Sequence, residues 1–168
     1  VNLLLEKGVA VRRVPRADGF TPGDFIVAGS GNAAVAEVAK QTGVTFAALA
    51  STPPAGAYDI RKPRIAMYQR YGGGNMDEGW TRWTLEQYGI SFTTVHDSGM
   101  RQGKLRGRFD VIILPSETAA RLAEGHDSLT VPAAYAGGLG PTGIAAISAF
   151  VRDGGTLVCL NASSDFAI

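Results

Sequence analysis

The densest group of chemically capable side chains is the run Gly72-Gly73-Gly74-Asn75-Met76-Asp77-Glu78-Gly79-Trp80-Thr81-Arg82-Trp83. Consecutive glycines let backbone amides approach an anion or another polar group. Asp77 and Glu78 in the first turn argue against phosphate, which they would repel. Asn75 followed three residues later by Glu78 also has the spacing of a capping box, with both acids near the positive end of the helix dipole. The same residues therefore have a purely structural use. Trp80 and Trp83, at i and i+3, share one helix face and are expected in the core.

A second candidate is the turn Asn161-Ala162-Ser163-Ser164-Asp165. In hydrolases and amidotransferases of the α/β type, the nucleophile sits on a sharp strand-to-helix turn of this kind. Cys159 falls two positions too early, inside the preceding strand, where it is expected to be buried and inert. Ser163 or Ser164 occupies the turn, but the flanking glycines that permit a strained elbow are missing. A helix N-cap at Ser163, with Asp165 reinforcing the dipole, is the structural alternative. Ser163, His96 and Asp97 could be assembled into a triad on paper. Neither His96 nor His126 has the spacing of a zinc motif, and the single cysteine cannot form a CxxC pair. Arg101, Lys104, Arg106 and Arg108 alternate with glycines and contain no aromatic residue, the pattern of a solvated loop and not of a nucleic-acid groove.

The elements that must position these groups fall into two regions. Val9 to Val14 and Asp24 to Ala28 are short strand candidates around a turn-rich stretch, Pro15 to Gly23. Asn32 to Gln41 has helical apolar spacing and a stop at Gly43. Val44 to Ala50 reads as a further strand, and Ser51 to Lys62, with two prolines and a third following at Pro63, as a linker. Residues 1–62 thus read as a small α/β segment and proline-rich linker, the end of a preceding region, and residues 63–168 as a separate α/β domain cut short at its C-terminus.

In that second region the punctuation is regular. Arg64 to Tyr71, Ile90 to His96, Phe109 to Leu114 and Thr156 to Asn161 read as strands. Asn75 to Tyr88, Thr118 to Glu124 and Pro141 to Arg152 read as helices, the last opened by a proline and closed by Gly154-Gly155. Gly125 to Gly140 is a long loop. Alternating strands and helices, with unbroken apolar runs in the strands, predict a three-layer α/β domain of flavodoxin-like type with a parallel sheet. Ligands in such sheets bind beyond the strand C-termini. That position selects Gly72 to Glu78, Asp97 and Ser98, Ser116 and Glu117, and Ala162 to Asp165.

Composition narrows the function classes. The 168 residues are 45% apolar and 18% charged, and sixteen basic residues nearly balance fifteen acidic ones for a net charge of +1. Bulk electrostatics gives no reason to expect nucleic-acid binding. No apolar run approaches the roughly 20 residues of a membrane-spanning helix. One cysteine excludes an intramolecular disulfide framework and leaves the compartment open. Val1 and Ile168 read as cuts in a longer chain, and no signal-peptide pattern is present.

Several stretches resemble a known family: RIAMYQRYGGGNMDEGWTRWTLEQYGISF, FDVIILPSE, YAGGLGPTGIAAISAFVRDGGTLVCLNASSDFAI and the earlier GDFIV. Together they are similar to the C-terminal part of large bacterial proteins of the zinc carboxypeptidase family (carboxypeptidase A type). There a peptidase domain precedes a domain with the class I glutamine amidotransferase-like fold. The MDEGWTRW run is the specific part of the resemblance. It implies zinc in the peptidase domain of the parent and no cofactor in this segment. It also implies the peptidase domain as partner, and a periplasmic or secreted location. The family's zinc ligands, a His-x-x-Glu pair and a later His, have no matching positions here, so no catalytic residue carries over. The elbow Cys of amidotransferases is missing as well.

Three functions follow as expectations. The first is a non-catalytic accessory domain of a metallocarboxypeptidase-like protein, for packing, substrate presentation or oligomerisation. The second is a small-ligand-binding or hydrolase-like domain using the rim formed by Asn75, Asp77, Glu78, Ser116, Glu117, Ser163, Ser164 and Asp165. The third is an interaction module that forms a homo-oligomer through an exposed helix or sheet edge.

Overall fold

The computed structural model describes residues 1–15, 19–29, 32–50, 52–71 and 75–168. The glycine turn Gly72 to Gly74 and parts of the Pro15 to Gly23 turn lie outside the described residues, as does Ser51 of the expected linker. The chain divides into two compact units, Val1–Lys62 and Pro63–Ile168, within two residues of the boundary expected near Arg61.

In the first unit, α1 (Asn2–Glu6), β1 (Val11–Arg13), β2 (Phe25–Val27), α2 (Asn32–Thr42) and β3 (Tyr58–Ile60) follow in order. The strands form an antiparallel sheet in the order β2-β1-β3. Leu4, Val9, Val11 and Val38 make its small core. Two expectations fail here. Val44 to Ala50 forms no strand and is exposed throughout. The supposed linker instead supplies β3, which takes the open edge of β1, pairing Val11 with Ile60. A strand needs a ladder partner for its amides and carbonyls, and with both edges of β1 occupied the apolar run at 44–50 has none there.

The second unit contains β4 (Ile65–Tyr68), α3 (Met76–Gln87), β5 (Thr93–Val95), α4 (Asp97–Arg101), α5 (Leu105–Arg108), β6 (Val111–Leu114), α6 (Ala119–Glu124), α7 (Gly140–Arg152) and β7 (Thr156–Cys159). Short 3-10 turns lie at Ala133–Tyr135 and Asn161–Phe166. The four strands form one parallel sheet ordered β5-β4-β6-β7, flanked by helices. This is the three-layer, flavodoxin-like α/β architecture expected. The path from β4 to β5 runs toward one edge, and the later connections run toward the other. Right-handed crossovers therefore place α3 on one face and α4 to α7 on the opposite face.

The face under α4 to α7 holds the core. Ala66 and Tyr68 of β4 and Ile112 and Leu114 of β6 point the same way by the two-residue strand period. They pack with Met100, Leu105, Leu122, Leu139, Ile147 and Phe150, all nearly inaccessible. Helix α7 earns its place with Gly143, Ile147 and Phe150, spaced i, i+4, i+7. Gly155 closes the packing: a Cβ there would lie 2.3 Å from the Phe150 ring. The long loop after α6 is drawn back in the same way. A Cβ on Gly125 would meet the Gly137 carbonyl oxygen at 1.9 Å, and Leu139 N donates to Leu122 O.

The basic cluster is solvated only in part: Lys104 and Arg108 are exposed, while Arg101 and Arg106 are half-buried. Arg64 and Arg106 both bind the Asp110 carboxylate, at 2.9 and 2.7 Å, and Arg64 also donates to the Gly107 carbonyl. Arg108 donates to Gly99 O, and Arg101 to Gly138 O. These residues pin α4, α5 and the start of β6 to each other. Their donors are long enough to reach backbone carbonyls at helix ends, which charge spacing alone does not reveal. Among the described residues, no helix is long and apolar enough to cross a membrane.

Candidate functional site

The strand order reverses between β4 and β6, which makes the gap beyond their C-terminal ends the topological switch point of the sheet, the usual ligand position in such folds. A shallow, open cleft lies there, lined by Tyr68, Gln69, Arg70, Asn75, Glu78, Pro115 and Glu117. Its enclosed space, about 10 Å³, has room for about one water molecule and is far smaller than a small-molecule pocket.

Asn75 begins α3 as its N-cap: its Oδ1 accepts from Asp77 N at 3.0 Å and Glu78 N at 3.3 Å. Its Nδ2 donates to the Ser116 carbonyl at 2.7 Å. The reciprocal half of the capping box is replaced, because Glu78 pairs with Arg82 instead, Nε to Oε1 at 3.0 Å. Glu78 is nevertheless the one buried residue of α3. Burying a carboxyl without a partner is costly, and Arg82 supplies the partner one turn away. Asp77 Oδ2 accepts from Ser116 N at 2.7 Å. The segment after β6 is thus stitched to the start of α3 by two side chains.

From the other side, Asn161 Nδ2 donates to Ser116 Oγ at 3.0 Å. Asn161 stands at φ +49 two residues past the end of β7, a left-handed conformation that asparagine tolerates better than most residues. It, and not Ser163 or Ser164, occupies the bent position of the elbow, and its amide is no nucleophile.

Ser163 is fully buried and lies within the 3-10 turn. Its hydroxyl is within hydrogen-bond distance of two carbonyl oxygens, Leu114 O at 2.9 Å and Leu160 O at 2.8 Å. The expected N-cap role is therefore corrected: the side chain ties β6 to the chain leaving β7. Ser164 and Asp165 are exposed on the same turn, and neither is bonded into the cleft. The paper triad does not assemble either. Asp97 is buried and accepts from the Tyr68 hydroxyl at 2.6 Å, while His96 Nδ1 sits 2.6 Å from Gln69 O. Burial, then the bond to Asp97, drives the Tyr68 phenol well above its ordinary pKa.

Glu117 meets Arg70 across the cleft, Oε2 to Nε at 2.6 Å. The contact is an ion pair out of line for a hydrogen bond, so Arg70 Nε is a buried donor without an aligned acceptor among the described residues. Both histidines brace Tyr71. His96 stacks on its ring at 4.4 Å, and His126 Nε2 lies 2.9 Å from its carbonyl oxygen. Tyr135 meets the same ring edge-on at 5.1 Å.

Cys159 is half-buried against the core, and desolvation raises its thiol pKa, so thiolate is disfavoured. Among the described residues, no group of three or more His, Cys, Asp or Glu has the arrangement of a metal site.

No family model matches the chain, and no curated protein or solved structure is significantly similar to it. The chemistry must therefore be read from the geometry. Of the residues expected at the rim, Asn75, Asp77 and Ser116 are brought together, and Glu78 and Glu117 line the cleft. Ser163 is beneath it, and Ser164 and Asp165 lie apart. Arg70 belongs to the site but was not selected from the sequence, and Asn161 entered only as the first residue of the second candidate turn, outside the expected rim. The strands were read as running to Tyr71 and Asn161, whereas they end at Tyr68 and Cys159. With those ends, the positional rule includes both residues.

Proposed function

We propose that Pro63–Ile168 is a non-catalytic accessory domain of a zinc metallocarboxypeptidase-like protein, serving packing, substrate presentation or oligomerisation. The observation that carries the non-catalytic part is the state of the elbow. Its bend is occupied by an amide, and its only buried hydroxyl is turned into two backbone carbonyls. A nucleophile requires an adjacent base and room for an acyl carbon, and Ser163 has neither. The rim carboxylates are also engaged: Asp77 with a backbone amide, Glu78 and Glu117 with arginines. The metallocarboxypeptidase part rests on the sequence resemblance alone, and zinc belongs to the parent's peptidase domain in that reading.

Two measurements test this. A fluorophosphonate probe should leave Ser163 and Ser164 unlabelled in the folded chain by peptide mass mapping; stoichiometric labelling of either would overturn the non-catalytic reading. Coding sequence upstream of Val1 should contain a His-x-x-Glu pair and a distant His, and its lack would remove the carboxypeptidase parent.

A second reading, binding of a small polar ligand, is favoured by one feature: the misaligned Arg70 Nε at the switch point. A carboxylate-bearing ligand that realigned this donor would raise the melting temperature of the wild-type chain and not of Arg70→Ala.

A further inference from the structure

Helix α3 carries its apolar residues on the outside. Met76 is 80% exposed, Trp80 63% and Trp83 52%, and the two indoles meet edge to face at 5.8 Å. At 100° per residue, Met76, Trp80, Trp83 and Gln87 fall on one stripe with no charged member. Gly79 lies at its edge with open space where a Cβ would stand, so a second backbone can come close. Solvated tryptophan pairs on a neutral stripe are unusual on a lone surface and typical of interface centres.

The order of the stripe points to its occupant. Met76 and Gln87 lie equally far from the midpoint between residues 81 and 82, as do Trp80 and Trp83, and Gly79 and Thr84. A two-fold axis through that midpoint therefore lays Trp80 against Trp83 of a second copy, and Met76 against Gln87. The acidic neighbours fit the same operation. Asp77 and Glu86 project from opposite flanks of the stripe, so antiparallel pairing sets Asp77 beside Thr84 and Glu86 beside Gly79 of the other copy, with no like charges opposed. An isologous interface needs this self-complementarity. The area also suffices for a weak dimer: two tryptophans and a methionine, more than half exposed, with Gln87, offer on the order of 500 Å² per copy, hence ~1,000 Å² in total, the lower limit for a specific interface.

We infer that α3 is the contact of an antiparallel, two-fold symmetric homodimer, centred on Trp80 and Trp83 and associating in the micromolar range. This stands apart from the non-catalytic reading, since either can fail alone.

The chain has only two tryptophans, both in the contact, so its intrinsic fluorescence reports association directly. Sedimentation equilibrium of the 168-residue chain should show the average mass rising toward twice the monomer over 1–200 µM, about the weak-interface range, with a blue shift of emission over the same concentrations. Trp83→Glu should remain monomeric with a red-shifted Trp80 and an unchanged far-UV spectrum. A wild-type chain that stays monomeric with constant emission would overturn the inference, and so would a dimer that Trp83→Glu leaves intact.

Orientation is tested separately in a Cys159→Ala background. An equimolar mixture of Met76→Cys and Gln87→Cys chains should oxidise to the mixed 76–87 disulfide several-fold faster than to either like pair. Preference for 76–76 would refute the antiparallel arrangement.

Discussion

Helices α7 and α3 are nearly equal in length, thirteen and twelve residues, and pack on opposite faces of one sheet by opposite means. Helix α7 buries Gly143, Ile147 and Phe150 and turns its polar residues outward. Helix α3 buries Glu78 and turns two tryptophans outward. Apolar area fixes the first. The second is held at its N-terminus by directed polar contacts, Asn75 Nδ2 to the Ser116 carbonyl and Ser116 N to Asp77, while the Glu78–Arg82 pair lies within the helix and Arg82 sits 4.9 Å from the Phe92 ring centroid. Apolar packing is additive and tolerant of direction, whereas each polar contact is small in net terms and fails when its geometry is lost. The helix beside the switch point is thus the one positioned by bonds that a change of a few tenths of an ångström would alter.

Substitutions should separate the two modes, with unfolding of the second unit followed by tryptophan fluorescence in urea. Phe150→Ala, which empties the contact with Gly155 and Ile147, is expected to cost about 3–5 kcal/mol. Ser163→Ala removes one hydroxyl hydrogen bond shared between Leu114 O and Leu160 O, which keep their backbone donors, and should cost about 0.5–1.5 kcal/mol. If it cost nothing, the bonds between β6 and the chain after β7 would not be structural.

A smaller contribution comes from Asp110, whose carboxyl is held well below its ordinary pKa, first by the Arg64 side chain, then by Arg64 N and Arg106. A depressed folded pKa means stabilisation that is present above the unfolded value of about 4 and lost as pH falls through the folded one. The stability difference between wild type and Asp110→Asn should therefore be flat from pH 8 to about pH 5 and shrink below about pH 4. Salt should weaken it, since the group is partly solvated. Trp80→Ala, measured at submicromolar concentration, should fall within about 0.5 kcal/mol of wild type. A loss as large as that of Phe150→Ala would erase the contrast between the helices.

The second unit was legible because its strands are apolar on both faces and its helices carry Pro141, Gly154 and a capping asparagine in place. β6 is an example: Val111 to Leu114 ahead of Pro115 leaves few alternatives. Where the reading failed, a partner distant in sequence decided the outcome. Trp80 and Trp83 satisfy helical spacing, but spacing does not say which face turns inward, and the Arg82 cation that makes Glu78 tolerable inside is silent in a periodicity argument. Ser163 was read as an N-cap or a rim residue because its acceptors, Leu114 O and Leu160 O, are backbone atoms that no side-chain pattern announces. The β3 strand was hidden among prolines because three residues give too short a period to register.

The most direct test of the closed elbow is the accessibility of position 163. In a Cys159→Ala background, Ser163→Cys supplies the sole thiol of the chain, and its alkylation rate can be followed against urea concentration. A structural Ser163 predicts labelling only through unfolding, with a rate that rises with urea in parallel with the unfolding transition. Labelling in native buffer at the rate of an exposed thiol, independent of urea, would contradict it and return the elbow to the list of reactive sites.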